Sequence, residues 1–210
     1  MPAILWFLLV SYIWRPFRPI GLLLVLLYPG VLVFWLVMHI GIKRWRRLGK
    51  RAFWIASLGW PITAIPLIFF RDRIFGSPVY AGGQESMLML LLGTLLLLIA
   101  IAIAWLAARV IPLRTLVGLP ELEPEKNVQP LLNTGIYART RNPVYLVHWL
   151  LIFSAAAIVG SAANWALFLI DCVVLPLMIR TEEHELLERY GDQFADYIRS
   201  VPRFFPKWTW

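Results

Sequence analysis

Three long apolar segments constrain this chain more than any other feature of its sequence. They run at about residues 19–42, 52–70 and 86–111, and each reaches the roughly 20 residues that a helix needs to cross a bilayer. The composition agrees, because 60% of the residues are hydrophobic and only 15% are charged, which does not fit a soluble domain. We therefore predict an all-α integral membrane protein.

The fourth apolar block, residues 144–179, is too long for one span and too short for two full-length spans. A turn-forming sequence, Gly-Ser-Ala-Ala-Asn, lies in its middle at 160–164. We therefore predict a tight hairpin of two shortened helices, followed by a cytoplasmic C-terminal helix. Residues 1–14 are apolar but short, which favours an interfacial or partly inserted helix. The prediction is about five transmembrane helices, with a sixth left open.

These segments divide the chain into three parts. Residues 1–111 are predicted to form the N-terminal membrane helices, and residues 112–142 a cytoplasmic connection that ends in a first polar motif. Residues 143–210 are predicted to form the hairpin and the C-terminal helix, which together make a cofactor site. The stretch 112–130 carries three glutamates and four prolines, so we interpret it as an ordered surface connection and a candidate lid or substrate rim.

The distribution of Lys and Arg predicts the orientation of the chain. Six of them lie between Lys43 and Arg51 in the first loop, whereas the second loop has only Arg71 and Arg73. Since cytoplasmic loops carry the excess of positive charge, we predict that the first loop, both polar motifs and the C-terminus are cytoplasmic. Topology and attraction to anionic lipid explain the net charge of +8, and no nucleic-acid partner is predicted.

The first polar motif, Thr-Gly-Ile-Tyr-Ala-Arg-Thr-Arg-Asn-Pro-Val-Tyr at 134–145, stands directly before the hairpin. Gly135 permits a close approach between a ligand and the backbone, and Tyr137 offers an aromatic face with a hydroxyl group. Asn142 and Pro143 have a second interpretation, since Asn is a favoured N-cap and Pro a favoured first residue of a helix.

The second polar motif begins at Arg180, where the hairpin ends, and runs Arg-Thr-Glu-Glu-His-Glu-Leu-Leu-Glu-Arg-Tyr-Gly. In the simplest interpretation Arg180 is a snorkelling anchor, and Glu185 and Arg189 form an ordinary i,i+4 pair on a solvated helix. Glu182 and Glu183 could instead accept hydrogen bonds from a ribose or balance a cationic ligand. Two dense polar motifs that bracket one apolar hairpin predict a ligand site at the membrane surface.

Both motifs together resemble the signature of the isoprenylcysteine carboxyl methyltransferase family and the related membrane phospholipid methyltransferases. Residues 132–145 resemble the first part of this signature, which runs Thr-x-Gly-x-Tyr followed by Arg-His-Pro-x-Tyr. The family's Glu-Glu, Leu, aromatic-Gly, Tyr and Val-Pro order is matched by Glu182, Glu183, Leu186, Tyr190, Gly191, Tyr197, Val201 and Pro202. The resemblance covers about residues 131–206, and residues 1–111 resemble the family only in being apolar and multispanning.

The resemblance implies methyl transfer from S-adenosylmethionine to a lipid-borne or prenylated amphiphilic acceptor, either a carboxylate or an amine, with no metal ion. The cofactor-binding residues carried over by position are Gly135, Tyr137, Asn142, Pro143, Tyr145, Glu182 and Glu183. The residues carried over to the catalytic role are Arg141, Arg180 and Glu183. The two arginines would orient the acceptor or support the site, and an amine acceptor would need Glu182 or Glu183 as a base.

The sequence departs from the family pattern at Asn142, where the family has His. An amide can replace one hydrogen bond of an imidazole but cannot act as a base near neutral pH. Two alternatives stay open. One is a non-catalytic lipid-binding or scaffold protein with this fold, which the missing His favours. The other is a membrane reductase with a nicotinamide cofactor, against which Pro143 argues because the signature of that class lacks it.

Two residues inside the hairpin carry separate predictions. Asp171 is its sole acidic residue, and it either contacts the substrate or pairs with Asn164, His148 or a neighbouring helix. Cys172 is the only cysteine of the chain, so an intrachain disulfide and a thiolate metal cluster are excluded, and we predict that it packs as a small hydrophobe.

Overall fold

The structure is a computed structural model that describes residues 17–70, 73, 84–116, 118–123, 125–126 and 129–205. The interfacial helix predicted for residues 1–14 lies outside these described residues. Within them, every regular element is helical, as the sequence predicts. The helices are α1 (Phe17–Ile40), α2 (Ile42–Leu48), α3 (Lys50–Ser57), α4 (Gly59–Phe69), α5 (Gln84–Ala108), α6 (Leu113–Leu116), α7 (Leu119–Leu122), a 3₁₀ helix (Gly135–Ala138), α8 (Pro143–Val159), α9 (Ala162–Tyr190) and α10 (Asp192–Ser200).

Four stretches of the described chain are long and apolar enough to cross a membrane. They are Pro19–Ile40 in α1, Arg51–Phe69 across α3 and α4, Met87–Ala108 in α5 and Ala162–Tyr190, which is α9. Helix α8 is also apolar but has only 17 residues. The chain is therefore an integral membrane protein, and the count of five spans stays a prediction.

Helix α8 lies at the centre of the bundle, where it packs against α5, α9 and α1. Its most extensive contact is with α5, and Gly93 approaches so closely that an added Cβ would lie 2.8 Å from Ile158 Cγ1. Ala100 and Ala107 follow Gly93 at intervals of seven residues and are also buried. Small residues repeated along one face let membrane helices approach each other, so this seam fixes α8 and the motif at its start.

The predicted turn between the hairpin helices is confirmed. Gly160 ends α8 with a left-handed φ of 68°, and Ser161 Oγ accepts a 3.2 Å hydrogen bond from Asn164 N at the start of α9. The second helix is not shortened, however, since α9 has 29 residues and is about 43 Å long. Good helix-forming residues continue up to Gly191, so the second motif belongs to the same helix as the apolar segment.

Asp171 is fully buried and pairs with a neighbouring helix. Its Oδ1 atom accepts a 3.1 Å hydrogen bond from the hydroxyl of Tyr28 in α1. Of the three partners that the sequence suggested, the structure therefore shows the neighbouring helix and not His148 or Asn164. Asn164 instead donates to Gly21 O at 3.3 Å. Cys172 is exposed, so the prediction that it packs inside is wrong. Adjacent helical positions point about 100° apart, and the inward direction is taken by Asp171.

Candidate functional site

Glu183 joins the two motifs. Its Oε1 atom accepts hydrogen bonds from Arg141 at 3.1 and 3.3 Å and from Asn142 Nδ2 at 3.2 Å. Arg203 donates to both carboxylate oxygens, at 3.3 Å from its Nε to Oε1. Glu183 is buried, so two guanidinium groups and an amide stabilise a charge that would otherwise be costly there.

Arg141 also ties the end of α10 to the first motif. Its Nη1 group donates to Ile198 O at 2.9 Å and to Val201 O at 2.6 Å, and its backbone N–H donates to Pro202 O at 3.0 Å. With its two bonds to Glu183, four of the five guanidinium donors are used within the protein. One Nη2 hydrogen has no partner among the described residues and could bind a ligand.

A cavity lies where the two motifs meet, in two adjoining compartments of about 130 and 100 Å³. The compartments share Thr115, Glu121, Tyr137, Arg141, Asn142 and Glu182. The first compartment is completed by Trp35, Ile111, Val144, Tyr145 and His148. The second reaches Glu183, Tyr190 and Tyr197 on α9 and α10. The walls therefore combine aromatic, aliphatic and acidic side chains with two arginines, Arg141 and Arg189.

The structure brings most of the predicted site residues to this cavity. Those that line it are Tyr137, Arg141, Asn142, Tyr145, Glu182 and Glu183. The others lie elsewhere: Pro143 is the buried first residue of α8, and Arg180 is exposed on α9. Gly135 begins the 3₁₀ helix with a φ of 59°, and a Cβ there would lie 2.8 Å from Val110 Cγ2. Glycine is thus required there by the backbone and by packing.

Asn142 occupies the N-cap position of α8, but its side chain makes no capping hydrogen bond. Its amide nitrogen donates instead to Glu183 and, at 3.4 Å, to Arg203 O. The capping interpretation of this side chain is therefore wrong. The physical reason is the charged acceptor within reach, because a hydrogen bond to a carboxylate is stronger than one to a neutral group.

Glu185 is buried, so the prediction of an ordinary pair on a solvated helix is wrong in that respect. The pair with Arg189 exists, at 3.0 Å, but the same Oε1 atom also accepts a hydrogen bond from Arg46 of α2. Both arginines also donate hydrogen bonds to the backbone of the connection after α5. Arg46 Nε donates to Glu121 O at 2.9 Å, and Arg189 Nη2 donates to Pro120 O at 3.1 Å. Glu185 therefore anchors this connection.

Two carboxylates of the cavity, those of Glu121 and Glu182, form no ion pair with the part of the chain that the structure describes. One oxygen of each, Oε2, is buried and has no hydrogen-bond partner there. Burial, followed by repulsion from Glu182, raises the pKa of Glu121 to about 7. A cationic group in the cavity would stabilise both carboxylates.

The sequence interpretation missed Glu121 and Trp35 as cavity residues. Trp35 lies in an apolar span, where an aromatic residue is expected for packing alone. Glu121 has a local signal, because Gly118, with a φ of 76°, and Pro120 are typical of the start of a helical turn. That signal places Glu121 in the turn, but the direction of its carboxylate depends on contacts far away in the sequence.

The basic first loop lies at the same end of the bundle as the cavity. Lys43 Nζ donates to Glu188 Oε1 of α9 at 3.0 Å, and Arg46 reaches the backbone of Glu121.

No group of three or more His, Cys, Asp or Glu residues that could hold a metal ion occurs in the described ranges.

Two metal-resistance proteins share part of this sequence. They are a nickel-cobalt-cadmium resistance protein of Alcaligenes xylosoxydans xylosoxydans and a cobalt-zinc-cadmium resistance protein of Cupriavidus metallidurans, each 36% identical over 78 residues. The match covers 37% of this chain and 36% of each relative. No solved structure shows a significant match.

A family model gives a broader match. It is the model of the phospholipid methyltransferase family, which matches residues 88–193, half of the chain. The match includes most of α5, the first motif, α8 and the whole of the second motif. The chain therefore belongs to the phospholipid methyltransferase family, which consists of membrane methyltransferases.

Proposed function

We propose that this protein transfers a methyl group from S-adenosylmethionine to an acceptor carried by a membrane lipid or a prenylated amphiphile. The observation that supports this most is the cavity between the two motifs, with its aromatic side chains and two carboxylates that form no ion pair with the described residues. Membership in the family supplies the class of reaction, which is methyl transfer.

The cavity suits a cationic cofactor. The sulfonium group of S-adenosylmethionine carries a permanent positive charge, which the carboxylates of Glu121 and Glu182 would attract. The rings of Trp35, Tyr137 and Tyr145 line the first compartment together with these carboxylates. An aromatic face stabilises a cation placed over it. Attraction by both kinds of group favours a cation over a neutral or anionic ligand.

The proposed roles follow from where the side chains lie. The side chains proposed to contact the cofactor are those of Tyr137, Asn142, Tyr145 and Glu182. Glu183 holds the first motif in place through Arg141, whose remaining Nη2 hydrogen can orient the acceptor. Gly135 and Pro143 shape the backbone around the site. Arg180, exposed on α9, would meet the lipid part of the acceptor.

The cofactor should rearrange the site when it binds. Pockets for molecules of its size enclose about 300–1,000 Å³, more than the 130 and 100 Å³ of the two compartments. We expect the cofactor to join the compartments by displacing side chains that both share. Thr115 is one of these and belongs to the connection after α5, for which we propose the role of a lid or rim.

The position of the basic loop supports a cytoplasmic site. Lys43 and Arg46 lie at the end of the bundle that holds the cavity, and loops rich in Lys and Arg are retained on the cytoplasmic side. In this orientation the cofactor would arrive from the cytoplasm and the lipid acceptor from the bilayer.

An amine suits this cavity better than a carboxylate as the methyl acceptor. The unpaired carboxylates of Glu121 and Glu182 would repel an anionic acceptor and attract an ammonium group. Once it has lost a proton, an amine is a nucleophile, so alignment with the methyl group and exclusion of water would then be the main contributions of the protein.

Transfer of a radioactive methyl group tests the proposal. The purified protein is placed in vesicles of phosphatidylethanolamine and phosphatidylglycerol, given S-adenosylmethionine labelled on the methyl group, and the extracted lipid is counted. We expect label in the lipid, and calorimetry should show that Glu182→Gln weakens cofactor binding by about tenfold. Glu188→Gln is the matched control on the same helix, because its exposed pair with Lys43 contributes little.

The outcomes separate the candidate functions. Cofactor binding without label in any lipid would favour the non-catalytic lipid-binding alternative. A wild-type protein that does not bind the cofactor would refute the proposal. Equal losses in Glu182→Gln and Glu188→Gln would show that the cavity is not the binding site.

A further inference from the structure

The backbone around Glu121 is fixed by two arginines from different helices. Arg46 of α2 donates to Glu121 O at 2.9 Å, and Arg189 of α9 donates to Pro120 O at 3.1 Å. Both guanidinium groups also bind Oε1 of Glu185. The short helix α7 is thus held from two sides at once, while the Glu121 side chain lines both compartments of the cavity.

The carboxylate of Glu121 differs from those of Glu183 and Glu185. Each of these two accepts hydrogen bonds from two arginines, and such compensation makes a carboxylate a weak base. The arginines near Glu121 bind backbone oxygens instead. Its buried Oε2 atom has no hydrogen-bond partner in the described part of the chain, so it is available to a proton carried by a ligand.

Several charged and titratable groups on neighbouring elements face Glu121. They are His39 of α1, Arg46 of α2, Tyr137 of the 3₁₀ helix, Arg141 of the first motif, Tyr145 and His148 of α8, and Glu182, Glu185 and Arg189 of α9. Burial is the largest influence, and together with Glu182 it raises the pKa of Glu121 to about 7. A carboxylate that binds and releases a proton near neutral pH has the property that a general base requires.

We propose that Glu121 is a catalytic residue that accepts a proton from the ammonium form of a lipid-borne amine. This inference rests on the proposed function. The carboxylate takes one proton from the ammonium group, which leaves a neutral amine and a protonated Glu121. The nitrogen lone pair then forms the N–C bond to the methyl carbon, while the S–C bond breaks and its electron pair stays on sulfur. The products are a methylated ammonium and a neutral thioether, and Glu121 passes its proton to water.

Kinetics at saturating cofactor test this role. In vesicles of phosphatidylethanolamine and phosphatidylglycerol, Glu121→Gln should lower kcat by about 100-fold or more. In the wild type kcat/KM should rise with pH and level off at or below about 7, because the positive charge of the bound cofactor lowers the pKa of Glu121 from that value, and Glu121→Gln should lack this rise. Glu121→Asp should recover part of the rate because it keeps a carboxylate, and it carries the same test if Glu121→Gln does not fold. Glu125→Gln, at an exposed position of the same connection, is the control and should behave as wild type.

An infrared titration gives a readout that does not depend on methyl transfer. The wild type should show the band of a protonated carboxyl group that disappears with a midpoint near pH 7, and Glu121→Gln should lack it. A kcat for Glu121→Gln within about threefold of wild type and an unchanged pH profile would overturn the inference. If the wild type transfers no methyl group, the proposed function fails. The infrared titration then decides alone. A band that Glu121→Gln lacks would support Glu121 as a group that can accept a proton near neutral pH, and its absence from the wild type would overturn the inference.

Discussion

The Nδ2 atom of Asn142 donates a 3.2 Å hydrogen bond to Oε1 of Glu183, and this contact explains how the site accommodates an amide where related proteins have His. Glu183 already binds Arg141 and Arg203, so its charge is compensated without a third cation. A neutral donor completes the hydrogen bonds of the carboxylate and adds no charge. Asn142 therefore serves to organise the junction of the two motifs.

Replacing Asn142 by Asp should destabilise the protein. The new carboxylate would stand beside Glu183 and could not donate a hydrogen bond to it, so the free energy of unfolding should fall by roughly 1.5–3 kcal/mol. Asn142→His keeps a donor and should cost less. Thermal unfolding in detergent measures both, with Asn133→Asp, at an exposed position of the same segment, as the control. A tolerated Asn142→Asp would contradict the importance of this hydrogen bond.

Tyr145 and Glu183 should respond differently to truncation. Tyr145 lines the cavity and its ring also packs against the core, so Tyr145→Ala should weaken S-adenosylmethionine binding by about tenfold and should also lower the stability of the cofactor-free protein. Glu183→Ala should lower that stability without removing a proposed contact to the cofactor, because the mostly buried Arg141 and the partly exposed Arg203 lose their shared partner. Calorimetry and thermal unfolding of the cofactor-free variants separate these effects. Equal cofactor affinity in wild type and Tyr145→Ala would contradict the site assignment.

The hydrogen bond between Tyr28 and Asp171 should contribute to stability and not to catalysis. Tyr28→Phe removes the donor and leaves a buried carboxyl group unsatisfied, which should cost about 1–3 kcal/mol. Asp171→Asn keeps an acceptor for the hydroxyl and should cost less. Unfolding in a denaturing detergent and the methyl-transfer rate per folded molecule check both variants. A specific activity that falls while stability is unchanged would instead indicate that Asp171 contacts the substrate.

The features that the sequence predicts well depend on local patterns. Apolar length identifies the spans, and Gly160 with Ser161 identifies the turn, since each acts on its own neighbours. The arginine contacts that organise the site are different. Arg141 and Glu183 are 42 residues apart, and Arg46 and Glu121 are 75 residues apart. No local periodicity or propensity relates such distant residues, so motif matching found Glu183 but not its partner Arg203, and it did not find the fixed turn that carries Glu121.

Charge patterns mislead for a related reason. Glu185 and Arg189 have the i,i+4 spacing of a solvated pair, and the pair does form. The sequence does not show that Arg46 approaches the same carboxylate from another helix and that burial follows. The same spacing thus describes both an exposed pair and the anchor of a buried network.

Alanine at Gly135 should be less destabilising when Val110 is made smaller. Its φ of 59° costs an L-residue about 1 kcal/mol, and an added Cβ would lie 2.8 Å from Val110 Cγ2. Val110→Ala removes that contact but not the backbone strain, so Gly135→Ala should be less destabilising in a Val110→Ala background. A double-mutant cycle by thermal unfolding measures the difference. Additive effects of the two substitutions would show that the 3₁₀ helix moves away from α5 and that this contact imposes no constraint.

The pH dependence of stability should change when Glu121 is replaced by Gln. The folded protein raises the pKa of Glu121 from 4.5 to about 7, so the folded state holds a proton that the unfolded state has released between these values. Stability from this group is therefore complete below about pH 4.5 and is lost as the pH rises to about 7. The stability of wild type relative to Glu121→Gln should fall between pH 5 and pH 7 and stay constant above, as measured by denaturing-detergent titrations at each pH. Taking the difference removes the contribution of histidines that titrate in the same range. A difference that does not vary with pH would show that Glu121 is ionised in the folded protein throughout, and that the cavity does not hold it in the protonated form near neutral pH.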